Sequence, residues 1–266
     1  MHKGHFSMKI LFMGRKQVSA NLLRFLTKQD HIEIVGVLTD SHLQGSPTTA
    51  AAQELGLPLY TFDTALEAMR EGRLKYDLGL SVLYWRKLRD EFLTVPRLGT
   101  INFHPALLPE YKGTGGYNLA IMDELSEWGS TAHYVDASID TGEIIEVDRF
   151  PIDSSVETAQ SLERKTMQAL EPFAQRIIAR AVEAQAKLPT TPNIGGRYVS
   201  RDEMEAMKRI RDGDDVEKKI RAFWFPPYDG AYVEINGQKY TLINRQLLEE
   251  VAPKDSTSLF AGKAHA

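Results

Sequence analysis

Short apolar runs alternate with amphipathic helical patterns from about residue 8 onward, and this alternation most constrains the fold. Residues 9–13, 33–39 and 57–62 predict strands, because their apolar side chains come in short runs bounded by turn residues. A helical pattern follows the first run, and Ser46-Pro47 is typical of the start of a second helix. Strands that alternate with helices form a mostly parallel sheet with helices on both faces. The sequence therefore predicts a Rossmann-like α/β fold.

The same pattern continues to residue 152 and ends in a long helix. The next predicted elements are helices at 63–75, 86–94 and 116–125 and strands at 77–84 and 99–103. Residues 130–152 predict two strands separated by an unusually long turn, 136–142, and long loops at strand ends are often functional. Ser154 with Glu157 predicts a capping box before the long helix, whose apolar stripe runs to Ala181.

A Pro-, Gly- and Thr-rich stretch, 188–196, predicts a linker and the clearest domain boundary. We expect a catalytic domain at 8–188, a small C-terminal subdomain at 197–250 that packs on it, and loosely ordered tails at 1–7 and 251–266.

Within the C-terminal subdomain, residues 201–219 predict one or two solvated helices, and Asn236-Gly237 predicts a β-hairpin. The 32 Lys and Arg residues against 36 Asp and Glu give a net charge of -4, so no overall positive field attracts nucleic acid. The absence of cysteine excludes disulfides, thiolate nucleophiles and zinc sites with cysteine ligands. No apolar run approaches the roughly 20 residues that span a bilayer, so we expect a cytoplasmic protein without membrane partners.

Asn102 and His104 stand two residues apart at the end of a predicted strand, so their side chains share one face. The loop 105–109 that follows places them at the carboxyl edge of the sheet, where open α/β folds bind ligands. An amide can polarise a carbonyl, and an imidazole can exchange a proton near neutral pH. Asp140, in the long turn, is either a turn residue or a carboxylate that orients His104 and raises its pKa. A buried, hydrogen-bonded histidine is the structural alternative for His104.

Three motifs resemble the folate-dependent formyltransferases: Ile101-Asn102-Phe103-His104-Pro105-Ala106-Leu107-Leu108-Pro109, Tyr111-Lys112-Gly113 and Asp140-Thr141-Gly142. This group includes methionyl-tRNA formyltransferase, glycinamide ribonucleotide transformylase and the sugar-nucleotide N-formyltransferases. The resemblance spans about residues 8–185, and an Asn-x-His-Pro with a downstream Asp-Thr-Gly is highly specific to it. One departure is Lys112, which stands where arginine is common.

The resemblance implies a metal-free transfer of a formyl group from 10-formyltetrahydrofolate to an amine. Asn102 would hold and polarise the formyl oxygen, and His104 would stabilise the oxyanion and relay protons. Asp140 would orient and charge His104. The amine would attack the formyl carbon and expel N10 of the reduced folate.

The resemblance also implies where the ligands bind. The pterin would occupy an apolar slot formed by Leu83, Tyr84 and Trp85 and by the backbone of Val135, Asp136, Ala137, Ser138 and Ile139. Core or rim packing is the alternative for Tyr84 and Trp85. Lys112, Gly113 and Trp224 are the expected substrate contacts, and His133 is expected to be a structural strand residue.

Residues 220–231 resemble the start of the C-terminal part that tRNA and sugar-nucleotide formyltransferases share, and which glycinamide ribonucleotide transformylase lacks. Acidic residues are interleaved with the basic ones in 201–219, which disfavours contact with an RNA backbone. We therefore expect an amino-sugar nucleotide as acceptor, in the formation of O-antigen or lipopolysaccharide precursors. Methionyl-tRNA formylation and a non-catalytic folate- or nucleotide-binding module are the alternatives. The family also suggests a homodimer joined through the C-terminal part.

Overall fold

The computed structural model describes residues 7–39 and 45–251, in which strands and helices alternate from Met8 onward. The strands are β1 (Met8–Gly14), β2 (Ile32–Leu38), β3 (Leu59–Tyr60), β4 (Leu78–Val82), β5 (Thr100–His104), β6 (Tyr111–Gly113), β7 (Glu127–Tyr134), β8 (Ile144–Pro151), β9 (Arg197–Val199), β10 (Tyr232–Ile235) and β11 (Gln238–Thr241). The helices are α1 (Gln17–Leu26), α2 (Pro47–Glu54), α3 (Phe62–Arg70), α4 (Asp90–Thr94), α5 (Gly116–Met122), α6 (Ala159–Ala184), α7 (Arg201–Met207), α8 (Val216–Phe223) and α9 (Arg245–Val251). The tails expected at both ends lie largely outside the described residues.

Seven of these strands form one sheet in the order β3-β2-β1-β4-β5-β7-β8. The strands from β3 to β5 in this order are parallel, whereas β7 is antiparallel to both β5 and β8. Every residue of β4 is buried, as expected for a strand covered on both faces. The mostly parallel, Rossmann-like sheet predicted from the sequence is confirmed.

Helices cover both faces of this sheet, as predicted. On β1, Ile10 and Phe12 join the core under α1, α2 and α6, whereas Leu11 and Met13 join the core under α3 and α4. The period of two in a strand sends neighbouring side chains to opposite faces. Each such apolar side chain contributes about 1.5–3 kcal/mol when it leaves water. The two cores together fix the sheet whose carboxyl edge carries the candidate site.

The predicted capping box at Ser154 and Glu157 is wrong. Helix α6 begins after Thr158, whose Oγ1 accepts a hydrogen bond from the backbone N–H of Ser161 at 3.0 Å. The Ser161 hydroxyl accepts in return from the Thr158 N–H at 2.9 Å. Glu157 is buried beside the cap instead, where it pairs with Lys165. A serine or threonine at the third helical position can thus replace the acidic member of the box.

Two predicted elements are shorter than expected. Strand β3 has only two residues, because Thr61 caps the next helix at Phe62. Helix α4 begins at Asp90, four residues later than predicted. Residues 83–89 are therefore a loop at the carboxyl end of β4, and this loop lines the cavity described below.

In the C-terminal part, where one or two charged helices were expected, the structure has two, α7 and α8, together with the predicted hairpin of β10 and β11. Asn236 and Gly237 have φ values of 52° and 78°, as a two-residue type I′ turn requires. Helix α9 follows and was not predicted. Phe223 and Leu247 of this part pack against Leu119 of α5, as expected for a unit too small to bury its own core. In the part of the chain that the structure describes, each helix falls short of the length and apolarity that a membrane span needs.

Candidate active site

Pairing of β5 with β7 brings Asn102 and His133 directly opposite each other. The Asn102 Nδ2 lies 3.0 Å from His133 Nε2, and His133 Nδ1 lies 2.8 Å from the carbonyl oxygen of Tyr134. A carbonyl oxygen only accepts, so Nδ1 of His133 carries a proton. In that tautomer, Nε2 accepts from the Asn102 amide. His133 therefore fixes the orientation of the Asn102 side chain.

Alternation along β5 separates the polar pair from the core. Phe103 packs edge-on against Phe173 of α6, with ring centroids 6.1 Å apart. Asn102 and His104 consequently face the other side, at the carboxyl end of the strand. In the structure Asn102 and His104 share one face of β5, as their spacing predicts.

His104 is buried and lies between a backbone carbonyl and a side-chain carboxylate. Its Nε2 donates to the carbonyl oxygen of Tyr111 at 2.9 Å, and its Nδ1 lies 3.6 Å from Oδ1 of Asp140. The other carboxylate oxygen, Oδ2, accepts from the Gly113 N–H at 2.9 Å. The short strand β6 thus bonds both members of the pair. The same Asp140 Oδ1 lies 3.7 Å from Nε2 of His133.

The loop after His104 is held by a single threonine. Thr131 Oγ1 on β7 accepts from the Leu108 N–H at 3.0 Å and donates to the Ala106 carbonyl at 2.8 Å. Both bonds are buried, so they fix this loop without competition from water.

The electrostatics of the pair favour an ionised Asp140 and a neutral His104 at neutral pH. Burial raises the pKa of Asp140, but the His104 charge, the His133 side chain and the Gly113 N–H together outweigh it and lower the pKa to about 2. Burial lowers the pKa of His104, against the opposing effects of Asp140 and the Tyr111 carbonyl. A neutral imidazole with Nε2 protonated presents its basic Nδ1 toward Asp140. A proton taken up there would face a carboxylate within 4 Å.

A cavity of about 270 Å³ opens beside this cluster. Asn102, His104 and Asp140 all line it. The residues expected to bind the cofactor or substrate that also line it are Leu83, Tyr84, Trp85, Val135, Asp136, Ser138, Ile139 and Gly113. Trp85 is 50% exposed, so it lies at the rim of the cavity and not in the core.

Three of the expected contacts lie elsewhere. Lys112 is buried, and its Nζ donates to the carbonyl oxygen of Gly195 at 2.8 Å, which directs the amine away from the cavity. Trp224 packs on the core between α5 and the C-terminal part. Ala137 lines a separate shallow hollow next to α4. The cavity therefore gives no support to substrate or cofactor contacts by these three residues.

His133 and Tyr198 also line the cavity, although neither was expected there from the sequence. Alternation along β7 places His133 on the same face as Thr131, but only the pairing of β5 with β7 brings that face opposite Asn102 and His104. Likewise, only the pairing of β9 with β6 brings Tyr198 to the cavity, where it covers Gly113. A Cβ on Gly113 would lie 2.7 Å from the Tyr198 ring, and Gly113 has a φ of 83°. Glycine is therefore required at this position.

Within residues 7–39 and 45–251, no group of three or more His, Asp or Glu side chains has the arrangement to hold a metal ion.

The family model described as Formyl transferase matches residues 8–178. A methionyl-tRNA formyltransferase of Nitrobacter winogradskyi is 31% identical over 188 residues, which make up 66% of this chain and 58% of that protein. The chain therefore matches somewhat more than half of the length of that relative.

Solved structures resemble the chain over more of their length. A 4-N formyltransferase from Francisella tularensis superimposes with a TM-score of 0.73 at 21% identity, over 90% of this chain and 97% of that one. An N-formyltransferase from Helicobacter canadensis, in complex with folinic acid and dTDP-3-aminofucose, gives a TM-score of 0.69 at 24% identity, over 87% of this chain and 86% of that one. At these identities the likeness shows a common fold.

Proposed function

Because the chain belongs to the formyl transferase family, we propose that it transfers a formyl group from 10-formyltetrahydrofolate to the amine of an amino-sugar nucleotide. The observation that carries this proposal is the placement of Asn102, His104 and Asp140 together along one wall of a cavity at the carboxyl edge of the sheet. An amide donor, a base and a carboxylate are the groups that an acyl transfer requires. Residues 8–188 would form the catalytic unit.

In this proposal Asn102 donates from Nδ2 to the formyl oxygen as negative charge develops on it. A donor directed at such an oxyanion typically contributes about 3–4 kcal/mol to the transition state. His133 keeps the amide in place through its bond to Asn102.

His104 and Asp140 handle the proton. The amine attacks the formyl carbon to give a tetrahedral adduct, and His104 accepts a proton from the former amine. Asp140 stabilises the resulting imidazolium. The proton is then delivered to N10 as the carbon–N10 bond breaks, so that the products are the formamide and tetrahydrofolate.

The proposed folate site lies between the loop after β4 and the loop 135–139. Trp85, half exposed at the rim of the cavity, is the aromatic ring proposed to stack on a flat pterin. Asp136 accepts hydrogen bonds from the Ser138 N–H at 3.0 Å and the Thr141 hydroxyl at 2.7 Å, which fixes the second loop. The backbone groups of the loop 135–139 are therefore available in a defined arrangement for the polar edge of the pterin.

Two observations favour a sugar nucleotide as acceptor. The fold likeness to the Francisella tularensis 4-N formyltransferase covers nearly all of both chains, and the Helicobacter canadensis neighbour is in complex with dTDP-3-aminofucose. In addition, the basic residues of 201–219 are largely matched by carboxylates: Lys208 pairs with Glu205, and Lys218 with Glu124. Phosphate contacts dominate RNA binding, and paired lysines are poorly suited to it.

Methionyl-tRNA formylation is the second candidate, because a methionyl-tRNA formyltransferase is 31% identical to the chain over the matched region. We further propose a cytoplasmic enzyme that acts on polysaccharide precursors and dimerises through its C-terminal part. The exposed Ile235, Tyr240 and Leu248 of that part are the surface to test, by light scattering of their Ser variants.

Incubation of the protein with 10-formyltetrahydrofolate and a panel of amino-sugar nucleotides tests the proposal directly. We expect mass spectrometry to detect one formylated sugar nucleotide and equimolar tetrahydrofolate, formed about 10²-fold or more slowly by the Asn102→Ala variant. Efficient formylation of aminoacylated initiator tRNA, with none of the sugar nucleotides, would replace the proposed acceptor by the second candidate.

A further inference from the structure

Residues 190–196, which we name the strap, cross from the sheet to β9 over the loop that carries Asp140. Near its start, Thr191 exchanges two backbone hydrogen bonds with Ile144 of β8, at 2.9 and 2.8 Å. Beyond its end, β9 pairs with β6. A Cβ on Gly196 would lie 1.6 Å from the carbonyl oxygen of Pro109, so the strap touches the loop after His104. The strap is thus anchored on both sides of the active site and is not a free linker.

Asn193 lies between these anchors and bonds the Asp140 loop. Its Nδ2 donates to the carbonyl oxygen of Asp140 at 3.0 Å and to that of Gly142 at 2.9 Å. Asp140 itself has a φ of 54°, in the left-handed region that a side chain with a Cβ adopts at an energetic cost. One amide therefore holds two carbonyls of a strained turn.

The other polar atom of the Asn193 side chain is its amide oxygen. This oxygen, Oδ1, is buried and has no hydrogen-bond partner among residues 7–39 and 45–251. An unpaired buried acceptor is unfavourable, so an amide at this position is accounted for by its two donated bonds. The hydrogen bonds that Asn193 donates all go to the loop that carries Asp140, so its role is to be sought in that loop.

We propose that Asn193 is a positioning residue, which holds the Asp140 backbone so that the carboxylate stays beside His104. Oδ1 of Asp140 lies 3.6 Å from His104 Nδ1, and a rotation of the turn would lengthen that distance. Gly113 fixes only the other carboxylate oxygen, Oδ2. For turnover this inference rests on the proposed function, whereas its effect on the His104 pKa does not.

The groups that face His104 define what a displaced Asp140 would do. They are the Asp140 carboxylate and the His133 ring, together with the carbonyl oxygen of Tyr111. Burial lowers the pKa of His104, Asp140 and the Tyr111 carbonyl raise it, and His133 lowers it. If Asp140 moves away, the pKa of His104 falls further.

The test is an NMR titration of His104 in the full-length protein and in three variants: Asn193→Ala, Asp140→Asn and the double variant. We expect Asn193→Ala to lower the pKa of His104 in the same direction as Asp140→Asn, and the double variant to show no further shift. Two changes that act through one carboxylate are not additive. Ile194→Ala is the matched control, because Ile194 is the neighbouring strap residue and is 79% exposed.

Steady-state kinetics give a second readout. We expect Asn193→Ala to reduce kcat by about 10- to 100-fold, as displaced catalytic groups do, with KM for both substrates nearly unchanged. If the alanine variant does not fold, Asn193→Leu serves instead, since it approximates the shape and removes both donors without adding a charge. An unchanged His104 pKa in a folded Asn193 variant, or an additive shift in the double variant, overturns the proposal. Absence of formyl transfer by the wild-type protein would refute the proposed function and leave the titration to decide the role of Asn193.

Discussion

Two regions of the molecule are rich in ionisable side chains and use them in opposite ways. Around Asp140, the buried imidazoles of His104 and His133 each lie within 4 Å of the largely buried carboxylate. Between residues 201 and 219 the charged side chains are mostly exposed, and they form separate ion pairs such as Lys218 with Glu124 at 2.9 Å. Buried charges interact strongly, whereas exposed pairs contribute about 0–1 kcal/mol. Burial, and not the number of charges, therefore separates the candidate site from a solvated surface.

The largest effects should come from the buried cluster. We expect Asn102→Ala, His104→Ala and Asp140→Ala each to reduce turnover by about 10²-fold or more, because all three act on one tetrahedral centre. Single-turnover kinetics at saturating substrates measure the loss, and circular dichroism verifies the fold. Near-wild-type turnover of His104→Ala would remove the basis of the comparison. Combined variants should lose little more than single ones.

A smaller effect is expected at the rim of the cavity. Trp85→Ala should raise KM for 10-formyltetrahydrofolate by roughly tenfold, because loss of a stacking face costs about 1–3 kcal/mol per flat ring. Its kcat should change little, since Trp85 is not assigned to the chemistry. Trp224→Phe is the control, as Trp224 lies outside the cavity. Equal effects of both changes on folate KM would contradict the assignment of the pterin face.

The pH dependence sharpens the same contrast. The base in this mechanism is neutral His104, whose pKa is lowered from its ordinary value of 6.5. Activity should therefore persist below pH 6.5 and fall as pH drops through the lowered pKa. Asp140, with a pKa of about 2, stays ionised throughout this range.

The sign of a further shift follows from the Asp140 charge, which raises the pKa of His104. In Asp140→Asn that contribution is lost, so the acidic limb of residual activity should move to lower pH. Profiles of kcat against pH for the two proteins provide the measurement. An acidic limb that stays in place or moves to higher pH would show that this limb does not report a His104 base under the influence of the Asp140 charge.

The smallest effect belongs to the charged segment. Lys218→Ala should lower the free energy of unfolding by less than about 1 kcal/mol, since its pair with Glu124 is largely exposed on the carboxylate side. Urea unfolding measures this change, and kcat/KM should remain at the wild-type value. If Lys218→Ala markedly raised KM for the acceptor and not for 10-formyltetrahydrofolate, this helix would be part of the acceptor site. The contrast between the two regions would then disappear.

The C-terminal hairpin and the sheet show how far local pattern reaches. Asn236-Gly237 specified its turn because only a few residues adopt two consecutive positive φ angles. The cap of α6 is Thr158 and not the predicted Ser154. Both side chains are able to cap a helix, so the local sequence alone does not choose between them. The sequence pattern thus predicts which helices and strands exist. Their first and last residues depend on the segments that pack against them.

The sequence by itself determined the parallel sheet, its two helical layers and the pair of Asn102 and His104 on one face, since these follow from periods of 3.6 and 2. Only the tertiary structure brought in His133, through the antiparallel pairing of β7, and Asn193 and Tyr198, through the path of the strap and β9. It also turned Lys112 away from the cavity. The physical reason is that contacts between residues 31 to 85 positions apart leave no periodic trace along the chain. They are set by which strands pair and by which loops those pairings bring together.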